Sequence, residues 1–281
     1  MQAKRIQQKI VGLIPAAGKA ERISPLPCSK EIYPIGFHRT IQNKDLRIKV
    51  VSEYLIESMH LAKAAKVYII LRKGKWDIPQ HFGSGKWMGM NFAYLIMDLP
   101  FGVPYTLDQA YHFVKDDLVI FGFPDIIFRP NDAFTNLIDK AYSSRADVVL
   151  GLFRAPQPYK TQHMVDFDSS GRVSGFQINP SQTALRYTWI IAVWKPKFTR
   201  FLHEYVSSIT RTSRKGDTLN TDSMIEEISM TRVFEAALHK GLVIDSISFK
   251  EGFFLDIGSP ENLERTSQRF PELADFEDNK S

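Results

Sequence analysis

IPAAGKAERISPLPCSKEIYPI, residues 14–35, is the stretch on which the reading of this chain turns. It continues an apolar run that begins at Ile10, IVGLIPA, broken by Pro15 and then Gly18, which predicts a buried strand feeding a turn. The small residues Ala16, Ala17, Gly18 and Ala20 let backbone approach a ligand closely, and the free N–H groups of Ala16, Ala17 and Gly18 can hold phosphate oxygens. Arg22 and Lys30 bring positive charge to the same place. An open parallel sheet binds ligands beyond the carboxyl ends of its strands, where this loop would sit. A tight small-residue turn with two surface cations is the bland alternative. A Walker loop fails, because five residues rather than four separate Gly12 from Gly18 and Ala20 stands where a hydroxyl must reach the metal. A dinucleotide fingerprint fails too, with Gly12 inside the strand and no Gly-x-Gly-x-x-Gly following.

Outward from this loop the pattern alternates. Helical spacing from Val50 to Ala65 precedes the strand VYIILR, 67–72, and a helix over Thr106–Val114 precedes LVIFGF, 118–123. A helix over Ala133–Tyr142 precedes DVVLGLFR, 147–154. Parallel strands with helical crossovers explain this most simply. Further on come a hairpin turning at Ser170-Gly171, an aromatic strand YTWIIAVW, a polar loop over 207–222, a helix over Ser223–Lys240, the strand VIDSISF and a helix opening at Ser259-Pro260. One domain over 1–270 with a frayed tail over 271–281 is expected, because no linker-like stretch divides the chain.

Composition narrows the function classes. Of 281 residues 44% are apolar and 24% charged, enough for a sizeable core. A net charge of +5 without a basic, aromatic-interleaved stripe argues against nucleic acid but suits phosphate substrates. Cys28 is the only cysteine, so no intrachain disulfide forms. No apolar run reaches the roughly 20 residues that span a bilayer. A soluble cytoplasmic protein without membrane partners is the expectation.

Two acids stand out. Asp125 follows LVIFGF and Pro124 at the carboxyl end of an apolar strand, and Asp256 ends another in GFFLDIGSPENL. Each alone reads equally as a turn or cap residue. Taken together, two hard carboxylates suit Mg²⁺, which keeps several waters and bridges substrate phosphates.

The 14–35 segment resembles the signature loop of the sugar-phosphate nucleotidyltransferases, small-Ala-Gly-x-Gly-Thr-Arg followed by Pro-Lys-x-x-x-Pro, with Gly18, Arg22, Lys30 and Pro34 matching. FPDIIF, LDIGSPENL, FGSGKWMGMNFAY and YTLDQAYHF match further, so the likeness covers about residues 10–270. It implies a Rossmann-like, three-layer α/β fold of the nucleotide-diphospho-sugar transferase type with a mixed, mostly parallel central sheet. It also implies a nucleoside triphosphate and a sugar 1-phosphate as substrates, with UTP or dTTP suggested by the loop wording. Asp125 and Asp256 would share Mg²⁺, Arg22 and Lys30 would act on the phosphates, and Pro124 and Asn179 would lie at the substrate. Trp87 is expected to pack a surface loop. A homo-oligomer is left open.

The departures are specific. Met97 replaces a Gln that reads a pyrimidine edge, and Asn179 a Lys that meets the sugar phosphate. Ala20-Glu21 stand for Gly-Thr, and YTWIIAVW lacks the glycine beside the sugar, implying a narrower or shifted hexose pocket. They motivate one alternative, a catalytically degenerate nucleotide-binding homologue acting as a regulator. A glycosyltransferase of similar architecture is the other, disfavoured by the Arg22 and Lys30 loop.

Overall fold

The computed structural model describes residues 8–39, 46–98, 101–157, 162–214 and 227–268. β1 (Ile10–Ala16) leads through the signature loop to a hairpin of β2 (Pro34–Arg39) and β3 (Leu46–Val50). α1 (Val51–Leu61), β4 (Lys66–Arg72), α2 (Asp77–Phe82) and β5 (Phe92–Met97) follow. Then come α3 (Val103–Asp108), α4 (Tyr111–Val114), β6 (Leu118–Gly122), β7 (Ile126–Arg129), α5 (Ala133–Ser143) and β8 (Val148–Arg154). The rest comprises β9 (His163–Phe167), β10 (Val173–Ile178), β11 (Tyr187–Trp194), α6 (Pro196–Arg214), α7 (Met230–His239), β12 (Ile244–Phe249), β13 (Phe253–Asp256) and α8 (Pro260–Gln268).

Period-two alternation of β1 sorts the core. Val11 and Leu13 face one layer with Tyr105, Leu107, Phe198 and Phe234 from α3, α6 and α7. Ile14 and Ala16 face the other with Leu55, Met59, Phe134 and Leu137 from α1 and α5. A nine-stranded sheet thus lies between two helical layers, as expected. β1 pairs in parallel with β4 and β6, and β4 with β5, which leaves the carboxyl ends of β1 and β6 side by side. β11 pairs antiparallel with β6 and β8, and β12 joins β8 in parallel, so the sheet is mixed. Gly12 earns its place by packing rather than by binding: a Cβ there would lie 2.7 Å from Met59 Sδ and 2.9 Å from Val67 Cγ2.

Local chemistry sets the boundaries. Glu53 Oε1 accepts the Val50 N–H at the start of α1 (3.1 Å), and Ser259 Oγ accepts the Asn262 N–H at that of α8 (3.3 Å). The β9–β10 turn closes as expected, with Asp168 Oδ1 accepting the backbone N–H groups of Ser170 and Arg172 and Gly171 at φ +87°.

Three expectations are corrected. The helix over 106–114 is two short ones, because Gln109 and Ala110 bond back to Thr106 and Leu107 in a tighter turn. The polar stretch beginning at 207 is helical as far as Arg214: Phe198, Leu202 and Val206 bury one face, while Ser208 and Thr210 hydroxyls bond to the carbonyls of Tyr205 and Val206. Its remainder, 215–222, lies outside the described residues. The helix expected from Ser223 starts at Met230, where Ser229 Oγ accepts the Arg232 N–H; 223–226 and the tail after 270 also lie outside them. Trp87 packs the surface as expected, stacked on Phe82 (6.2 Å between centroids) with its N–H on the Phe82 carbonyl. Among the described residues no helix is long and apolar enough to cross a membrane.

Candidate active site

The ends of β1 and β6 open on a cavity of about 620 Å³ whose walls include Ala17, Gly18, Arg22, Lys30, Asp125 and Asp256. Pro124 and Asp125 form the turn after β6, closed by Ile126 N–H on the Phe123 carbonyl. β7 then starts at Ile126, which pairs with Asp256, the last residue of β13, and the Ile257 N–H bonds to the Asp125 carbonyl (3.1 Å). This two-stranded ribbon, separate from the main sheet, carries the second acid to the first.

Gly258 measures how tight the meeting is. A Cβ on it would lie 2.8 Å from Asp256 Oδ1, 3.3 Å from Arg22 Nη2 and 3.5 Å from Asp125 Oδ2. Both carboxylates and the arginine therefore converge on one glycine with no room for a side chain. The Gly258 N–H (2.6 Å) and Asn262 Nδ2 (3.3 Å) donate to the two oxygens of Asp256, fixing its plane. Lys30 Nζ donates to Asp125 Oδ2 at 2.6 Å.

Burial works against the charges of Lys30, Asp125 and Asp256. It opposes the Lys30 ammonium, yet the Asp125 and Glu31 carboxylates outweigh it and raise the lysine above its ordinary pKa. Burial likewise opposes charge on Asp125, but Lys30 holds that carboxyl below the usual range. Asp256, lacking such a partner at contact distance, is pushed up by burial and then by the Asp125 charge. Two close carboxylates thus share the charges of Lys30 and, at Asp256, of Arg22.

Asp125 and Asp256 offer hard carboxylate oxygens, the donor type Mg²⁺ takes, and among the described residues no third His, Cys, Asp or Glu side chain joins them in a metal-binding cluster. Open positions for water and phosphate oxygens remain.

Ala20 adopts φ +58°, a left-handed backbone that a glycine would take without strain. Glu21 pairs with Lys19 (3.6 Å), and both, though largely exposed, stand on the cavity wall. Ala16 is buried at the end of β1, Pro124 is buried in its turn, and neither lines the cavity. Two other positions fall outside its walls. Met97 is packed in the core, and Asn179 is exposed at the end of β10 with φ +49°, its N–H on the Gln162 carbonyl.

Several wall residues escape sequence reasoning. Phe101, Gly102 and Val103 line one wall, and Phe123, backed by Phe121 (5.0 Å) and Trp189 (5.6 Å), lines another. Behind Lys30 lies a buried ion pair, Lys75 Nζ on both Glu31 oxygens at 2.6 and 2.7 Å. Burial pushes Glu31 up and Lys75 down, and their two short contacts hold the pair together. The one available signal was the acid directly after Lys30.

Comparison with known proteins bears on the fold and the family. No curated protein matches the chain. A Bacillus anthracis protein assigned as a glucose-1-phosphate thymidylyltransferase, solved with sucrose, superposes with a TM-score of 0.73 at 17% identity, over 92% of this chain and 94% of that one. The inositol-1-phosphate CTP transferase of T. maritima superposes with 0.65 at 14% identity, over 95% and 98%. These likenesses establish the shared fold. The profile of the nucleotidyl transferase family matches residues 11–272, nearly the whole of the described fold, and the chain belongs to that family.

Proposed function

We propose that this protein is a Mg²⁺-dependent nucleotidyltransferase that couples a nucleoside triphosphate to a sugar 1-phosphate, giving a nucleotide sugar and pyrophosphate. The observation that carries this reading is the convergence of Asp125, Asp256 and Arg22 on Gly258, with Lys30 bonded to Asp125.

The sugar-phosphate oxygen attacks the α-phosphorus, a new P–O bond forms, and the bond to the bridging oxygen of the pyrophosphate breaks. The nucleophile is already ionised near neutral pH, so no protein base is required, and catalysis rests on alignment and on charge. Asp125 and Asp256 would hold the metal, which when bound neutralises and orients phosphate oxygens. Lys30, restrained by Asp125, is placed to turn its ammonium to the phosphoryl oxygens as their charge develops. Arg22 meets the leaving pyrophosphate, and the Ala17 and Gly18 backbone lies beside the triphosphate. The flat faces of Phe101 and Phe123 suit a base or a sugar ring.

The wording of the loops favours UTP or dTTP with a hexose 1-phosphate. The T. maritima neighbour is named for CTP and inositol 1-phosphate, so the substrate range to test includes these. Pyrophosphate release should be measured across UTP, dTTP, CTP, ATP and GTP against hexose and inositol 1-phosphates, with thermal shift in parallel. Release with a pyrimidine triphosphate supports the proposal. Stabilisation by nucleotide without turnover for any pair would replace it with the degenerate binder, for which buried Met97 and exposed Asn179 are the motive.

A further inference from the structure

Another cavity, of about 550 Å³, opens along the outer side of α6 and shares no wall residue with the reaction cavity. Helical spacing accounts for it. Phe198, Leu202 and Val206 turn one stripe of α6 into the core, which leaves the stripe of Arg200, Phe201, Glu204 and Tyr205 facing outward. The floor is apolar. Phe201 and Tyr205, both half-buried, hold their ring centroids 5.9 Å apart with planes tilted by 33°, and Leu242, ahead of β12, lies beside them.

The rim is charged, and its members differ in how far they are engaged. Lys197 donates to Asp147 Oδ2 at 2.8 Å, an oxygen that also accepts the Val243 N–H at 2.9 Å, so this lysine is taken. Arg200 comes only to 3.9 Å from Asp116, with half of the arginine side chain and most of the aspartate in solvent. So loose a surface pair holds a guanidinium weakly. Lys240, in the turn after α7, has an ammonium with no ion pair or hydrogen bond among the described residues. Glu204, one turn along from Arg200, is the wall's only carboxylate.

These groups describe one kind of ligand. Two available cations, one a planar fork, suit the oxygens of a phosphate. Two aromatic rings with exposed faces suit a flat heterocycle, and a carboxylate, which only accepts, suits sugar hydroxyls. The volume is that of a small-molecule site. We infer that this cavity binds a nucleoside monophosphate, with its phosphate on Arg200 and Lys240, its base on Phe201 and Tyr205 and its ribose hydroxyls on Glu204. The site stands apart from the proposed transferase chemistry and does not rest on it.

The experiment is calorimetry on the full chain with UMP and AMP as probes, since stacking accepts either base, and with ribose 5-phosphate as the fragment that lacks a base. It is run in wild type and in Arg22→Ala, which weakens any binding at the reaction cavity, and then with Arg200→Ala or Lys240→Ala added. Both added changes fall on exposed side chains, so the fold is kept. Nucleotide binding should survive Arg22→Ala, weaken about tenfold with either added change, the size of one charge-assisted contact, and exceed that of ribose 5-phosphate at least about tenfold. Failure of both nucleotides to bind, or binding untouched by Arg200→Ala and Lys240→Ala, overturns the site. Ribose 5-phosphate held as tightly as UMP and AMP would leave an anion site without base recognition and overturn the ligand class.

Discussion

The charged end of the main cavity and the aromatic region behind its Phe123 wall are built by different means. At the loop end, Arg22, Lys30, Asp125 and Asp256 form a charged cluster, in which Lys30 bonds to Asp125, Asp256 is held by Gly258 and Asn262, and Arg22 reaches in from an exposed position. Toward β9, β10 and β11 the surroundings are aromatic: Trp189 packs on Phe123 and Phe234 and gives its N–H to Thr231, while Asn179 turns out to solvent. On the proposed function, the phosphate chemistry would sit on groups that tolerate almost no change, and the choice of acceptor on packing, which varies freely so long as volume is kept.

If that division holds, the charged end should break first and hardest. Asp125→Asn and Arg22→Ala should each lower kcat on the order of 10²-fold or more while the chain stays folded, as loss of one electrostatic group in a preorganised site does. Near-normal turnover in both would mean the cluster is structural only. Gly258→Ala comes next. The new methyl would sit 2.8 Å from Asp256 Oδ1, and displacing that carboxylate should cost about tenfold in kcat, with overpacking of about 1–3 kcal/mol in unfolding free energy. An unaffected Gly258→Ala enzyme would show that the convergence is loose.

The aromatic end should respond more gently. His163 bonds to Thr231 Oγ1 at 2.6 Å, and burial lowers its pKa. A lowered folded-state pKa on a base means the unfolded chain takes up the proton first. Stability should then fall as pH drops below about 6.5, and a melting series in His163→Gln should show a shallower slope. The smallest effect is expected at Asn179. Its replacement by Lys should move KM for triphosphate and for sugar phosphate by less than about threefold, as for an exposed change away from the site. A large drop in the sugar-phosphate KM alone would place Asn179 at the acceptor and redraw the boundary between the two ends.

Legibility in the sequence follows the same division. The signature loop, the strand-end acids and the alternation of β1, β4, β6 and β8 could be read, because close backbone approach and strand-end charge leave local marks. The β7–β13 ribbon could not, since two four-residue strands far apart in the chain carry no mutual signal. Hydroxyl-rich residues hid the end of α6 by resembling a loop, although their side chains bond back onto the helix. The Glu31–Lys75 pair was invisible because burial of a charged side chain is decided by tertiary packing. Substitutions at Met97 and Asn179 were noticed, but only the structure places one in the core and the other in solvent.

The ribbon has a consequence for how the protein comes into being. Asp125 can be in place once β1, β4 and β6 associate, but its partner acid arrives only with residues 253–256, after every other described strand. A growing chain would hold half a cation site and an exposed loop until that moment. Catalytic competence should thus switch on in a single late event, and a chain cut before Phe253 should keep much of its β-sheet while remaining silent.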